Sequence, residues 1–160
     1  MKTITLKSNI QLCKPEELSE EEQTLIKKAI EATKTSYAKY SNFKVGAAVL
    51  LSDGNIVTGS NQENASFSMT MCAERNTIFA ANAMYPDKGV VTLCIAAKNV
   101  NNVLLNKPIS PCGACRQVIL EEEERYKHPV KLLLYGTEGV YVINTIRDIL
   151  PLAFIDDDMK

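Results

Sequence analysis

Apolar positions change their spacing several times along this chain, and each change marks an element. From Leu25 through Ile26, Ala29, Ile30 and Thr33 they recur at i, i+3 and i+4, the spacing of a helix with one buried stripe. Ser19-Glu20-Glu21-Glu22 precedes that stripe as a capping box, and three acidic residues open a segment that closes with Lys27, Lys28 and Lys34. The pattern predicts a helix from about residue 20 to Tyr37. Val45 to Leu51 is nearly continuous apolar sequence, as in a strand covered on both faces. Asp53-Gly54 is a hairpin signal, and Asn55 to Ser60 is the returning strand.

Ala73 to Met84 is almost wholly small or apolar, which predicts a helix buried on most sides and ended by Pro86-Asp87-Lys88-Gly89. Val90 to Ala97 reads as a central strand and residues 99–107 as a loop. Cys112 to Arg125 reads as a helix with Cys115, Val118 and Ile119 inside and Glu121 to Glu124 outside. Val130 to Tyr135 and Val140 to Ile143 are two more strands joined at Gly136 to Gly139. Thr145 to Leu150 is a short helix stopped by Pro151. Alternation at Thr3-Ile4-Thr5-Leu6 fits a short edge strand in an appendage. The sum is an α/β layer fold around a five-stranded mixed sheet. Its organisation is an N-terminal appendage over residues 1–16, one domain over 17–155 and an acidic tail over 156–160.

Composition narrows the picture. A chain of 160 residues with 46% apolar and 23% charged residues is ordinary for one soluble domain with a core of its own. A net charge of −1 argues against a broad grip on nucleic acid or an anionic membrane. No apolar run approaches the roughly 20 residues of a membrane span, and Met1 to Leu6 lacks the apolar stretch of a signal peptide. The expectation is a cytoplasmic protein. Its five cysteines, Cys13, Cys72, Cys94, Cys112 and Cys115, are an odd number, which favours thiols or metal ligands over a disulfide framework.

Cys112 and Cys115 fall on one face of a helix start, where the positive end of the dipole lowers thiol pKa. The single histidine, His128, lies at the far end of the same helix, roughly 20 Å away. Cys72 is the natural third ligand. Three sulfurs leave one position of a tetrahedral zinc open for a water, as in a catalytic site. Cys94 and Cys13 stand as alternative fourth thiols, though Cys94 sits in an apolar strand where a small buried side chain is expected. Glu74 discriminates. Two residues apart within a helix, Cys72 and Glu74 would diverge by about 200°, so both reach one ion only where Cys72 marks the helix end. That placement sets a desolvated carboxylate beside the open position, where it can move protons.

Cys-x-Glu followed by Pro-Cys-x-x-Cys is the zinc-deaminase signature in its three-cysteine form. Over residues 19 to 155 the chain resembles the small, three-cysteine class of the cytidine/deoxycytidylate deaminase family. The resemblance is carried by Tyr40-Ser41-Asn42-Phe43-Lys44-Val45-Gly46-Ala47-Ala48, Asn61-Gln62-Glu63-Asn64-Ala65-Ser66-Phe67, Cys72-Ala73-Glu74-Arg75, Ser110 to Gln117 and Leu150-Pro151-Leu152-Ala153-Phe154. It implies a three-layer α/β/α fold, one Zn2+ per subunit on Cys72, Cys112 and Cys115, and Glu74 as the catalytic proton carrier. It implies a free nucleoside as substrate, deaminated hydrolytically to uridine or 2′-deoxyuridine in pyrimidine salvage, with no nucleic-acid or membrane partner. Asn61 and Glu63 would bind the ribose 3′-hydroxyl and Phe43 would stack on the pyrimidine. Backbone groups of Ala73 and Ser110 would read the base edge, and Arg75 would offset thiolate charge. Members of this class are commonly homotetramers, in which Phe154 would enter a neighbouring subunit's pocket. Phe67 departs from the pattern, standing where the family often has tyrosine. Three other readings are a deaminase of a different amino-pyrimidine, a zinc-stabilised interaction module, which needs a fourth protein ligand, and a Cys-x-x-Cys redox protein, which leaves Cys72 and Glu74 without a purpose.

Overall fold

The structure is a computed structural model describing residues Met1–Lys160. Six strands form one sheet: β1 (Gln11–Cys13), β2 (Lys44–Leu51), β3 (Ile56–Ser60), β4 (Val90–Lys98), β5 (Lys131–Gly136) and β6 (Gly139–Ile143). Their order is β1-β6-β5-β4-β2-β3, and only β4 and β5 run parallel. The helices are α1 (Glu20–Ala32), α2 (Ala73–Met84) and α3 (Gly113–Tyr126).

The period of two along each strand sorts the core into two clusters. Ala48, Leu50, Cys94, Ala96 and Leu133 meet Leu25, Ile26 and Ala29 of α1 on one face. Ala47, Val49, Leu93, Ile95, Leu132 and Leu134 meet Ile78 and Ala81 of α2 and Ile119 and Leu120 of α3 on the other. The fold is therefore α/β/α in three layers, as expected.

Ser19 caps α1 as its sequence predicts, accepting from Glu22 N while Glu22 reaches back to Ser19 N. The helix stops at Ala32, short of Tyr37, and continues as a 3-10 turn over Thr33–Thr35. The Thr33 and Thr35 hydroxyls take the carbonyls of Ile30 and Ala32, which tightens the last turn. This end lies directly on β2. A Cβ on Gly46 would stand 2.1 Å from Ala29 O, so only glycine lets the two backbones meet.

Four expectations need correction. The edge strand is not residues 2–6 but Gln11–Cys13, which pairs antiparallel with Val140–Val142 of β6 and makes the sheet six-stranded. Cys13 packs against the α1-side core, whereas Ile4 and Leu6 are exposed and have nothing comparable to cover. Of the four glutamates expected outside α3, Glu122 and Glu123 are buried. Glu123 accepts from Val130 N, Ile146 N and Thr145 Oγ1, satisfying backbone donors that would otherwise be stranded in the core. Thr145 to Leu150 forms only a 3-10 turn over Ile146–Asp148. Finally, α2, expected to be buried on most sides, leaves Phe79, Ala83 and Met84 exposed.

Candidate active site

Two helix starts converge at one end of the sheet. Cys72 and Cys112 are the N-cap residues of α2 and α3, each with extended backbone (ψ 152° and 167°), and Cys115 follows in the first turn of α3. Cys72 thus marks a helix end, the geometry its two-residue spacing from Glu74 requires. The three sulfurs lie within 4.8 Å of one another, with Cys72 to Cys112 at 3.8 Å and Cys112 to Cys115 at 3.4 Å. A tetrahedral zinc with Zn–S bonds of about 2.3 Å spaces its sulfurs by about 3.8 Å. The three thiols fit that ion.

Cys72 and Cys115 are shifted in opposite directions. Hydrogen bonding from Cys115 holds the Cys72 thiol down to about 5, against the effect of its partial burial, and Arg75 and Cys112 add to the lowering. Donation to Cys72, together with burial, pushes the Cys115 thiol up. Arg75 Nη2 lies 3.5 Å from Cys72 Sγ, and Arg75 Nε is buried with no partner. Glu74 is 5% exposed, and burial, followed by the charge on Cys72, raises its pKa above the ordinary carboxylate range. A carboxyl so placed is a stronger base than an ordinary carboxylate, which suits it to take up and hand on a proton.

The remaining cysteines and the histidine stand elsewhere. Cys94 is fully buried on the α1 face of the sheet, opposite α2 and α3, and burial raises its thiol pKa. Cys13 is on β1, its Sγ 3.9 Å from Val140 O. His128 is exposed beyond the C-terminus of α3. None of them joins the cluster.

The segment after β3 is tied to this cluster through the backbone. Gln62 and Met71 exchange two hydrogen bonds of 2.9 Å, so the residue before Cys72 is fastened between Asn61 and Glu63. Asn76 Nδ2, in the first turns of α2, donates to Ser60 O at 2.9 Å. Asn61 Oδ1 accepts from Val45 N at 2.9 Å and Ser36 Oγ at 2.5 Å, while its Nδ2 donates to Phe43 O at 2.9 Å. Glu63 Oε2 accepts from Tyr40 N at 2.7 Å and Ser41 N at 3.2 Å, and its Oε1 accepts from Ser41 Oγ. Burial works against the Glu63 charge, but these donors outweigh it and lower the pKa. Tyr40, Ser41, Glu63, Phe67 and Thr70 line a cavity of about 400 Å³, and Tyr40 and Phe67 meet edge to face at 5.5 Å.

Phe43 is half-buried at the entry to β2, and Ala73 is buried as the first residue of α2. Ser110 is exposed just before the buried Pro111. Phe154 is 59% exposed, but its carbonyl accepts from Gln117 Nε2 of α3 at 2.9 Å, so the segment carrying it is anchored on α3. Sequence reasoning missed Ser36 and Ser41, whose hydroxyls hold Asn61 and Glu63. The only signal for them was their place in and before the Tyr40-to-Phe43 stretch.

Residues 19–127 match the family model described as the cytidine and deoxycytidylate deaminase zinc-binding region. The chain belongs to that family. It is 39% identical over 140 residues to the cytidine deaminase of Halalkalibacterium halodurans, a match covering 86% of this chain and 97% of that protein. It is 37% identical over 134 residues to the cytidine deaminase of Mycobacterium tuberculosis, covering 82% and 87% of the two chains. The crystal structure of cytidine deaminase from Burkholderia pseudomallei superposes with a TM-score of 0.72 at 36% identity, covering 86% of this chain and all of that one. This family member is therefore a zinc-dependent hydrolase, and its three-thiol cluster is able to hold the ion.

Proposed function

We propose that this protein deaminates cytidine and 2′-deoxycytidine to uridine and 2′-deoxyuridine, releasing ammonia, in the salvage of pyrimidine nucleosides in the cytoplasm. The observation that carries the reading is the buried Glu74 in the first turn of α2, two residues from a cysteine of the three-thiol cluster. Cys72, Cys112 and Cys115 hold the zinc. When bound there, the ion acts as a Lewis acid that makes water a competent nucleophile near neutral pH.

Glu74 accepts a proton from the attacking water and delivers it to N3 of the pyrimidine, which makes C4 electrophilic. As the new C4–O bond forms, C4 becomes tetrahedral. Glu74 then carries the remaining hydroxyl proton to the amino group, the C4–N bond breaks, and ammonia leaves. Water is the only co-reactant. Phe43 stacks on the base, and backbone groups of Ala73 and Ser110 hold its polar edge. Asn61 and Glu63 bind the 3′-hydroxyl, which both sugars carry. Arg75 offsets the thiolate charge.

We further propose that the active form is a homotetramer in which Phe154 closes a neighbouring subunit's pocket. An exposed Phe154 on an anchored segment supports this, as do the exposed Phe79 and Met84 on α2. The deciding experiment follows the loss of cytidine absorbance with purified protein, before and after zinc removal by a chelator. Turnover that stops with zinc removal and returns on its addition is expected. Undiminished activity in a zinc-free sample would overturn the mechanism, and a fully active monomer by light scattering would overturn the assembly.

A further inference from the structure

A carboxylate that binds a sugar hydroxyl through one oxygen gains specificity only if its rotamer is fixed beforehand. Glu63 is half-buried on a loop, where its side chain would otherwise sample several rotamers. What holds it is not a cation. Its Oε2 takes the backbone N–H groups of Tyr40 and Ser41, and its Oε1 takes the Ser41 hydroxyl. Asn42 sits at φ 55°, a left-handed turn residue that lets the chain fold back over Glu63.

The orientation of the Ser41 hydroxyl is itself determined. Phe43 N donates to Ser41 Oγ at 3.0 Å. With a lone pair of Oγ so occupied, the hydroxyl proton is directed at Glu63 Oε1. Each carboxylate oxygen has two acceptor directions, so Oε1 keeps one for a ligand hydroxyl while Oε2 is filled by the two amides.

Resting on the nucleoside reading above, we infer that Ser41 is the positioning residue for recognition of the sugar: its hydroxyl sets the Glu63 carboxylate so that Oε1 presents one free acceptor to the 3′-hydroxyl. Ser41 touches neither the base nor the reacting atoms in this assignment. Its effect is on binding and passes wholly through Glu63.

The test combines kinetics with a titration. Ser41→Ala should raise KM for cytidine about tenfold, the size of one charge-assisted hydrogen bond, with kcat within about twofold of the parent. Ser41→Thr, which keeps the hydroxyl, should restore KM. In a Glu63→Ala background Ser41→Ala should add no further loss. Independently of turnover, the Glu63 carboxyl carbon, followed by NMR, should titrate at higher pH in Ser41→Ala than in the parent. An equal KM penalty with Glu63 already removed, or an unmoved Glu63 titration, overturns the assignment. If the zinc-loaded parent does not turn over cytidine, the function proposed above fails, and the titration alone upholds or overturns the Ser41 contact.

Discussion

Arg75 Nη2 and Cys72 Sγ are 3.5 Å apart, joined across the first turn of α2. The cluster gathers three thiols, and three thiolates on a divalent ion leave a net negative charge that weakens any Lewis acid. A guanidinium hydrogen-bonded to one sulfur withdraws part of that charge. Arg75→Ala is therefore expected to lower both zinc affinity and kcat, each by about tenfold to a hundredfold, as for other groups that support metal ligands. Competition against a chromophoric chelator measures the first and steady-state kinetics the second. Arg75→Lys should recover only part of either, because an ammonium lacks the planar fork.

Glu74 tests the proton path. Glu74→Gln keeps the shape of the side chain and removes its basicity, so zinc content should stay at one per chain while kcat falls by about 100-fold to 10,000-fold. Metal analysis and initial rates on one preparation check both halves. Near-normal turnover in that variant would remove Glu74 from the mechanism.

The two buried cysteines should behave in opposite ways. Cys115 and Cys94 are both 0% exposed, yet they lie on opposite faces of the sheet. Cys115→Ser should lose zinc and activity together. Cys94→Ala should keep both, at a stability cost of about 1 kcal/mol from its small cavity. Zinc loss in Cys94→Ala would restore the reading of a four-ligand, non-catalytic site.

Glu122 gives the fold a pH signature of its own. It is 4% exposed on α3, its Oε1 accepts from Asn82 Nδ2 of α2, and its Oε2 has no partner. Burial raises its pKa above the usual value, more than the Asn82 hydrogen bond and the nearby Arg125 lower it. The unfolded chain therefore releases this proton at lower pH than the folded one. Stability from this group is complete in acid and declines as pH rises from the ordinary glutamate range through the raised folded value. Glu122→Gln should lack that decline. Its melting temperature relative to the parent should be higher at pH 8 than at pH 5, by about 2–4 °C per kcal/mol recovered. Paired thermal melts at the two pH values check the sign.

Much of the architecture was legible because its determinants are local. The bounds of α2 follow from an apolar run between Cys72 and Pro86, and the two core clusters follow from alternation along Ala47 to Leu50 and Leu93 to Ala96. What was not legible depends on partners far away in the sequence. Glu122 and Glu123 look like the solvated face of a helix until Asn82, Val130 and Ile146 are brought to them. Thr3 to Leu6 alternates at least as well as Gln11 to Cys13, and only the fit of Cys13 against the core beside Val140 decides between them. In the site, the Cys72–Glu74 spacing dictated a helix end and the structure has one. Ser36 and Ser41 carried no such constraint, since a hydroxyl's role depends on what the fold sets within its reach.

The paired N-caps Cys72 and Cys112 also bear on how the molecule holds together. Two helix starts aimed at one point bring two partial positive poles together, and like poles repel. Thiolates formed on zinc binding would turn that repulsion into attraction, so the three-thiol cluster would also be the clasp between α2 and α3. Fraying should therefore begin there. When zinc is withdrawn, amide exchange should quicken first in the opening turns of these two helices, while the strands beneath stay protected.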